Sequence, residues 1–403
     1  MKIFKGNELI LKFMLINIST GIAMGMVNLI IPIYALSLNA SSTQIGLIKG
    51  VAGIGDLLIV LPAGFMVDYL GSKKMYSASA VMGSSIIVLI SYVSSIELLL
   101  LIMVFFGMAR SLRTTSLNAD FFKHMTVIGI KKGGWFKGSM SVGGALIGPI
   151  LGGIALVAMS FKSYFALASV FLLAPFLVIL ARTNGGSNLP VKQKNFGLAD
   201  ASDHYKALAK NRSLVSATII ESINGALFIT FSTFIIVLVI KDLGLSPGVA
   251  AMLIALKGGA TICVVFLCGQ LLHKNNTNLY LLSFIVTILA LLVLGMSRDI
   301  LQLSIASVVI GMSSGLITLI TFTQVGNIEG EKGKIAGIFS FGFAMGSILG
   351  PTLGGIIGDF FSIQAIFLSF IPLFGILSLF TFIEGRKNRI ESDIIAAKVL
   401  NLE

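Results

Sequence analysis

Apolar residues run through this chain in long, nearly unbroken stretches. They fall near 11–36, 43–66, 75–94, 98–119, 136–159, 164–181, 213–240, 247–271, 278–296, 300–323, 335–358 and 363–383. Neither the alternation of a half-buried strand nor the one-sided stripe of a surface helix organises them. At 1.5 Å per residue, each stretch wound as an α-helix spans about 30 Å of hydrocarbon. The pattern therefore predicts twelve membrane-crossing helices. The first stretch is too long for the apolar region of a signal peptide and lacks a small-residue cleavage site, so it reads as a span. Connections are short except for 183–211, which opens "TNGGSNLPVKQKN". It runs on into "DASDHYKALAKNR", a short polar helix with Asp200 or Ser202 as its N-cap.

The pattern also repeats. "GALIGPILGG" at 144–153 returns as "GSILGPTLGG" at 346–355, an offset of 202. "GLIKGVA" at 46–52 matches "IALKGGA" at 254–260, and "FFGMARSLRTTS" at 105–116 matches "VIGMSSGLITLI" at 309–320. Such near-constant offsets imply two homologous six-helix halves, related by an axis along the membrane normal, with a substrate site between them near the midplane. The expected organisation is a first bundle over 1–182, a linker over 183–211, a second bundle over 212–384 and a tail over 385–403.

Composition removes the soluble alternatives. The chain is 56% hydrophobic and 11% charged, against about 25% charged in soluble domains. Its mean hydropathy is +0.99. The net charge of +12 raises nucleic acid as a partner, and the distribution of the charge answers it. With the N-terminus in the cytoplasm, 22 of the 29 Lys and Arg fall in cytoplasmic segments, three outside and four within spans. That is the positive-inside asymmetry of a cytoplasmic membrane protein, both termini inside; it gives no support to nucleic-acid binding. Cys263 and Cys268 share a span five residues apart, on different faces of a helix, so no disulfide is expected and they read as a pair of buried thiols.

Between the second and third spans stands "GFMVDYLGSKK", with Gly64, Asp68, Gly71, Lys73 and Lys74 spaced Gly-x3-Asp-x2-Gly-x-Lys-Lys. This resembles the cytoplasmic loop signature of the major facilitator superfamily, with Tyr69 where the family usually has a basic residue. The resemblance implies that Asp68 gates, by capping a helix end or pairing with a base. It implies too that Gly71 turns the chain and that Lys73 and Lys74 anchor the loop. "GALIGPILGG" in the fifth span looks like the signature of the drug:proton antiporter branch, with Trp135 at the place of that signature's upstream glycine. Gly144, Gly148 and Gly152 lie four apart, so a neighbouring backbone can approach their face. Pro149 removes a helix hydrogen bond and bends the span. Gly153 and the second copy, Gly346, Gly350, Pro351, Gly354 and Gly355, repeat the device. Close packing without directional meaning remains the alternative.

A charge at the bilayer centre costs about 2.5–3.5 kcal/mol on the insertion scale, so those retained carry information. They are Lys49 and Asp56 in span 2, Arg110 and Arg113 in span 4, Glu221 in span 7 and Lys257 in span 8. None lies in spans 3, 6, 9 or 12, which face lipid in the family. Asp56 and Glu221 are the proton-coupling candidates, with a structural ion pair to an arginine as the alternative. Arg110 and Arg113, one turn apart, point to an anionic group on the substrate, held by paired hydrogen bonds; pairing of Arg113 with Asp120 is the competing reading. Asn17, Asn28 and Asn224 offer neutral hydrogen bonds to a ligand or between helices. Lys49 and Lys257 occupy matched places and read as lysines snorkelling toward the outer headgroups. His124, His204 and His273 all fall in loops, so no metal-ligand cluster is expected. No nucleotide-binding loop appears either, which leaves an ion gradient, and no cofactor, as the energy source.

The fold expected is all-α and membrane-integral, twelve helices in two pseudo-symmetric six-helix bundles. The function expected is secondary active transport by alternating access, not enzymatic catalysis, by a monomer embedded in the bilayer. Proton-coupled export of a small anionic or zwitterionic organic molecule leads, a metabolite or a metallophore. A scarcity of aromatics in the cavity helices weighs against a purely lipophilic cation pocket. Multidrug efflux of lipophilic compounds and proton-coupled import stay open, and a membrane-embedded sensor or enzyme is the remaining class.

Overall fold

The computed structural model describes residues 2–128, 132–180, 211–268, 277–329, 332–383 and 386. Asp200, Ser202, the linker helix, His204, His273 and nearly all of the C-terminal tail lie outside the described residues, as does the side chain of Asp68.

Each predicted span is helical. α1 is Lys2–Ser37, α2 Ser42–Leu70, α3 Ser72–Ile90 and α4 Ile96–Lys123. α5 occupies 133–158 and α6 is Phe161–Leu180. α7 is Arg212–Asp242, α8 Pro247–Leu267, α9 Thr277–Met296 and α10 Ile300–Gly326. α11 is Lys332–Phe360 and α12 Ile363–Ile383. Among the described residues, eight of these are long and apolar enough to cross a membrane: α1, α5 and α7 to α12.

Local chemistry sets the ends. Ser41 caps α2 in a full capping box with Gln44, and Ser95, Asn211 and Asp299 cap α4, α7 and α10 through their side-chain oxygens. α2 passes into α3 through Gly71 alone, whose φ of +92° is strained for any residue with a Cβ. The bend expected at Pro149 takes a specific form. Residues Val142–Ile147 make a π-helical stretch ahead of Gly148 and Pro149, which absorbs the missing hydrogen bond within α5. α11 carries Pro351 in the corresponding place inside a continuous α-helix.

The repeated glycines work in two directions. In α5, Gly148 faces α1, where a Cβ would stand 2.8 Å from Gly25 Cα. In α11, Gly350 meets α7, where a Cβ would stand 2.7 Å from Ala226 Cα. These contacts bind helices within a half. Five residues after each of these the direction changes. Gly153 meets Ala251 of α8, and Gly355 meets Ser42 and Thr43 of α2. These contacts join the halves, along two seams, α5 with α8 and α2 with α11. The α2–α11 seam continues through Gly46 against the Pro351 carbonyl, Gly50 against Thr352 and Gly53 against Ile348. Its far end is tied by Asp359, whose carboxylate accepts the Ser42 and Thr43 backbone N–H groups at 2.8 and 2.9 Å. A carboxylate there satisfies otherwise unpaired donors at the N-terminus of α2.

Candidate functional site

Beyond Gly53 and Ile348 the halves enclose a cavity of about 520 Å³, lined from α1, α2, α4, α5, α7, α8 and α11. Two glycines build its charged wall. Gly55 of α2 lies against the Val104 carbonyl of α4, and Gly107 of α4 lies against the Ala52 carbonyl of α2. This reciprocal contact lets the backbones cross closely and brings Asp56 to Arg110. The guanidinium holds the carboxylate with both arms, Nε to Oδ1 at 3.1 Å and Nη2 to Oδ2. The arrangement is the paired geometry that arginine favours with carboxylates. Both side chains remain about a third exposed, 32% and 27%, toward the cavity. Asn28 is the third of the candidate residues on this wall.

Arg113 goes elsewhere. Three residues along a helix leave about 60° between side-chain directions, and here that separates the two arginines. Arg113 is 1% exposed, close to Gly83 of α3, and its Nη2 has no hydrogen-bond partner. It does not line the cavity, and Asp120 is engaged instead by Ser72 and His124. Asn17 is likewise off the wall. It lies at a depth where α5 covers α1, and it donates to the Phe136 carbonyl at 2.6 Å.

Glu221 and Asn224 come together in a second, buried cluster between α7 and α10. Glu221 accepts from Thr321 Oγ1 at 3.0 Å and Thr318 Oγ1 at 3.2 Å and is 4% exposed. Asn224 donates to Thr318 Oγ1 at 2.9 Å and accepts from Ser314 Oγ at 2.6 Å. Among the described residues no lysine, arginine or histidine pairs with Glu221. Hydroxyls serve either protonation state, because they donate to a carboxylate and accept from a carboxylic acid.

The lysines correct the snorkelling expectation. Both turn inward and line the cavity. Lys49 donates to the Asn28 carbonyl at 3.1 Å and to Asn28 Oδ1 at 3.2 Å. Lys257 is 1% exposed, donates to the Phe228 carbonyl at 2.9 Å, and holds its Nζ 3.6 Å from the Phe228 ring centroid. The readable signal was their depth on two matched helices flanking the axis, where an outward turn would strand them in hydrocarbon. Phe106, Phe228 and Phe343 also line the space, so the cavity is more aromatic than expected. In the loop signature, Lys73 and Lys74 are exposed. Cys263 and Cys268 are free thiols but not buried ones: Cys263 is exposed and Cys268 half-buried, because the last turns of α8 are largely uncovered.

Two helical halves around a largely apolar cavity that holds charges at membrane depth are the architecture of a membrane transporter rather than an enzyme. The sequence model of the Major Facilitator Superfamily matches residues 13–328 and 276–394, and the chain belongs to that family. It is 26% identical over 381 residues to the multidrug resistance protein MdtG of Proteus mirabilis (strain HI4320), covering 86% of this chain and 88% of that one. It is 23% identical over 372 residues to MdtG of Klebsiella pneumoniae (strain 342), covering 87% and 86%. Among solved structures its fold resembles that of the nucleoside transporter NupG, with a TM-score of 0.76 at 15% identity over 93% of this chain and 98% of that one.

Proposed function

We propose that this transporter exports a small organic substrate in exchange for protons across the cytoplasmic membrane. It acts as a monomer, with both termini inside and no cofactor. Glu221 carries the proposal: a carboxyl buried at membrane depth among hydroxyl partners, able to hold its site with or without a proton. The names of the MdtG relatives favour export over import.

Protonation of Glu221 reverses the hydrogen-bond sense at Thr318 and Thr321 and so alters the α7–α10 contact. Asp56 holds Arg110 in the cavity wall in the facing state described here. The halves 1–182 and 212–384 rock about the α2–α11 and α5–α8 seams. With the N-terminus inside, the seam tied by Asp359 closes the outer end. Coupling then requires only that proton and substrate prefer different facing states.

The test is purified protein in liposomes enclosing a pH-sensitive dye. Adding a transported drug or dye to one side should move protons the opposite way, in proportion to substrate flux. Substrate flux with no change in internal pH contradicts proton exchange, and proton movement in the same direction as substrate contradicts export by antiport.

A further inference from the structure

The cavity holds more positive charge than its acid balances. Asp56 is the one acidic side chain among the described residues that line it, against Lys49, Arg110 and Lys257. Asp56 is already taken, held by both arms of Arg110. The lysines are left with neutral partners. Lys49 has the carbonyl and side-chain oxygen of Asn28; Lys257 has one backbone carbonyl and the faces of Phe228 and Phe231. Contacts of that kind hold an ammonium without neutralising it.

Their placement is also symmetric. Lys49 precedes Gly50, which packs on Thr352 of α11, and Lys257 precedes Gly258, which packs on Ala145 of α5. Each lysine thus stands beside a seam where its own half meets the other.

We infer that Lys49 and Lys257 form a two-part anion site, one lysine from each half. It takes the carboxylate, sulfonate or phosphate end of an amphiphilic organic substrate, while the phenylalanine wall holds the apolar body. This assigns to the lysine pair the anion recognition that the sequence placed on Arg110 and Arg113. An anion shared between α2 and α8 draws on both halves at once, so its binding energy depends on how far apart they stand, which is the differential affinity that alternating access needs. The inference rests on the proposed reading only in taking the cavity between the halves as the substrate site. It does not depend on proton coupling or on direction.

Equilibrium binding in detergent, without any gradient, tests it with dansylglycine and its methyl ester, two probes that differ in one negative charge. The wild type should bind dansylglycine at least tenfold more tightly than the ester. Lys49→Gln and Lys257→Gln should each weaken the anion about tenfold and leave the ester unchanged. The double variant should bind both probes alike, and Lys49→Arg and Lys257→Arg should restore part of the preference. Size-exclusion profiles matching the wild type show that the variants are folded. Equal affinity of the wild type for both probes, no binding of dansylglycine, or equal losses for both probes in folded variants would overturn the anion site. A tenfold anion preference in a protein that moves no protons in liposomes would leave the site standing and remove the antiport reading.

Discussion

The six ionisable side chains at membrane depth divide into four kinds, and each kind makes its own prediction. Asp56 and Arg110 form a pair, so their losses are not additive. Asp56→Asn and Arg110→Gln should each lower the melting temperature in detergent, and the double variant should lose less than the sum of the two. The corresponding coupling is about 0.5–3 kcal/mol, the range for groups in direct contact; additive shifts contradict the pair. Arg113 is buried with an unpartnered nitrogen, so Arg113→Met should leave the dansylglycine affinity within about twofold, whereas a tenfold loss would return it to the substrate site. Lys49 and Lys257 are the proposed anion site, and Glu221 is the proposed proton carrier. Identity and depth were legible in the sequence because charge in hydrocarbon is costly, so each retained charge marks a partner or a cavity. Facing was not legible. A difference of about 60° between Arg110 and Arg113 decides cavity against interface, and it depends on the angle at which α2 crosses α4. The same holds for the lysines, whose facing depends on how α2 and α8 pack against the opposite half through Gly50 and Gly258.

At the scale of the helix, the repeated glycine-proline stretch has two faces that fail differently. Gly148 and Gly350 press α5 on α1 and α11 on α7 within the halves, at backbone distances that leave no room for a side chain. Gly148→Val or Gly350→Val should therefore abolish the monodisperse purified protein. Gly153 and Gly355 press on the opposite half. Gly153→Val should give folded protein with a reduced transport rate, measured as initial flux in liposomes at matched protein content. Gly64, with nothing within 4 Å of an added Cβ, should tolerate alanine without loss of yield. Normal yield from Gly148→Val would contradict the packing assigned to α5. The sequence announced the twelve helices, mostly to within a few residues though α1 begins nine residues before its apolar run, since the apolar runs are set by the thickness of the bilayer. It announced too that the glycines invite close packing. Which neighbour each glycine meets was hidden, because consecutive glycines point in different directions and serve different partners. The π-helical stretch in α5 was hidden as well: both copies carry the same Gly-Pro, and only one of them departs from α-helical winding.

At the scale of the molecule, the asymmetries between the halves divide the work. The symmetric elements are two seams of glycine contacts and two lysines beside them, and they border the cavity between the halves. The first half adds the Asp56–Arg110 pair to the wall, and the second half adds Glu221 behind it. Asp359 ties one end shut through two backbone donors of α2. Asp359→Ala should shift the population toward the state open at that end, read as faster labelling of Ser347→Cys on the cavity wall by a membrane-impermeant thiol reagent added at that end, in a background lacking Cys263 and Cys268; unchanged labelling contradicts the tie. The central claim is that Glu221 joins substrate movement to protons. Its most direct test compares wild type with Glu221→Gln in two liposome assays, exchange of labelled for unlabelled substrate, and uphill accumulation driven by a pH gradient. The account predicts that the variant keeps exchange and loses gradient-driven accumulation. A variant that still accumulates substrate against its gradient at the wild-type rate would contradict it.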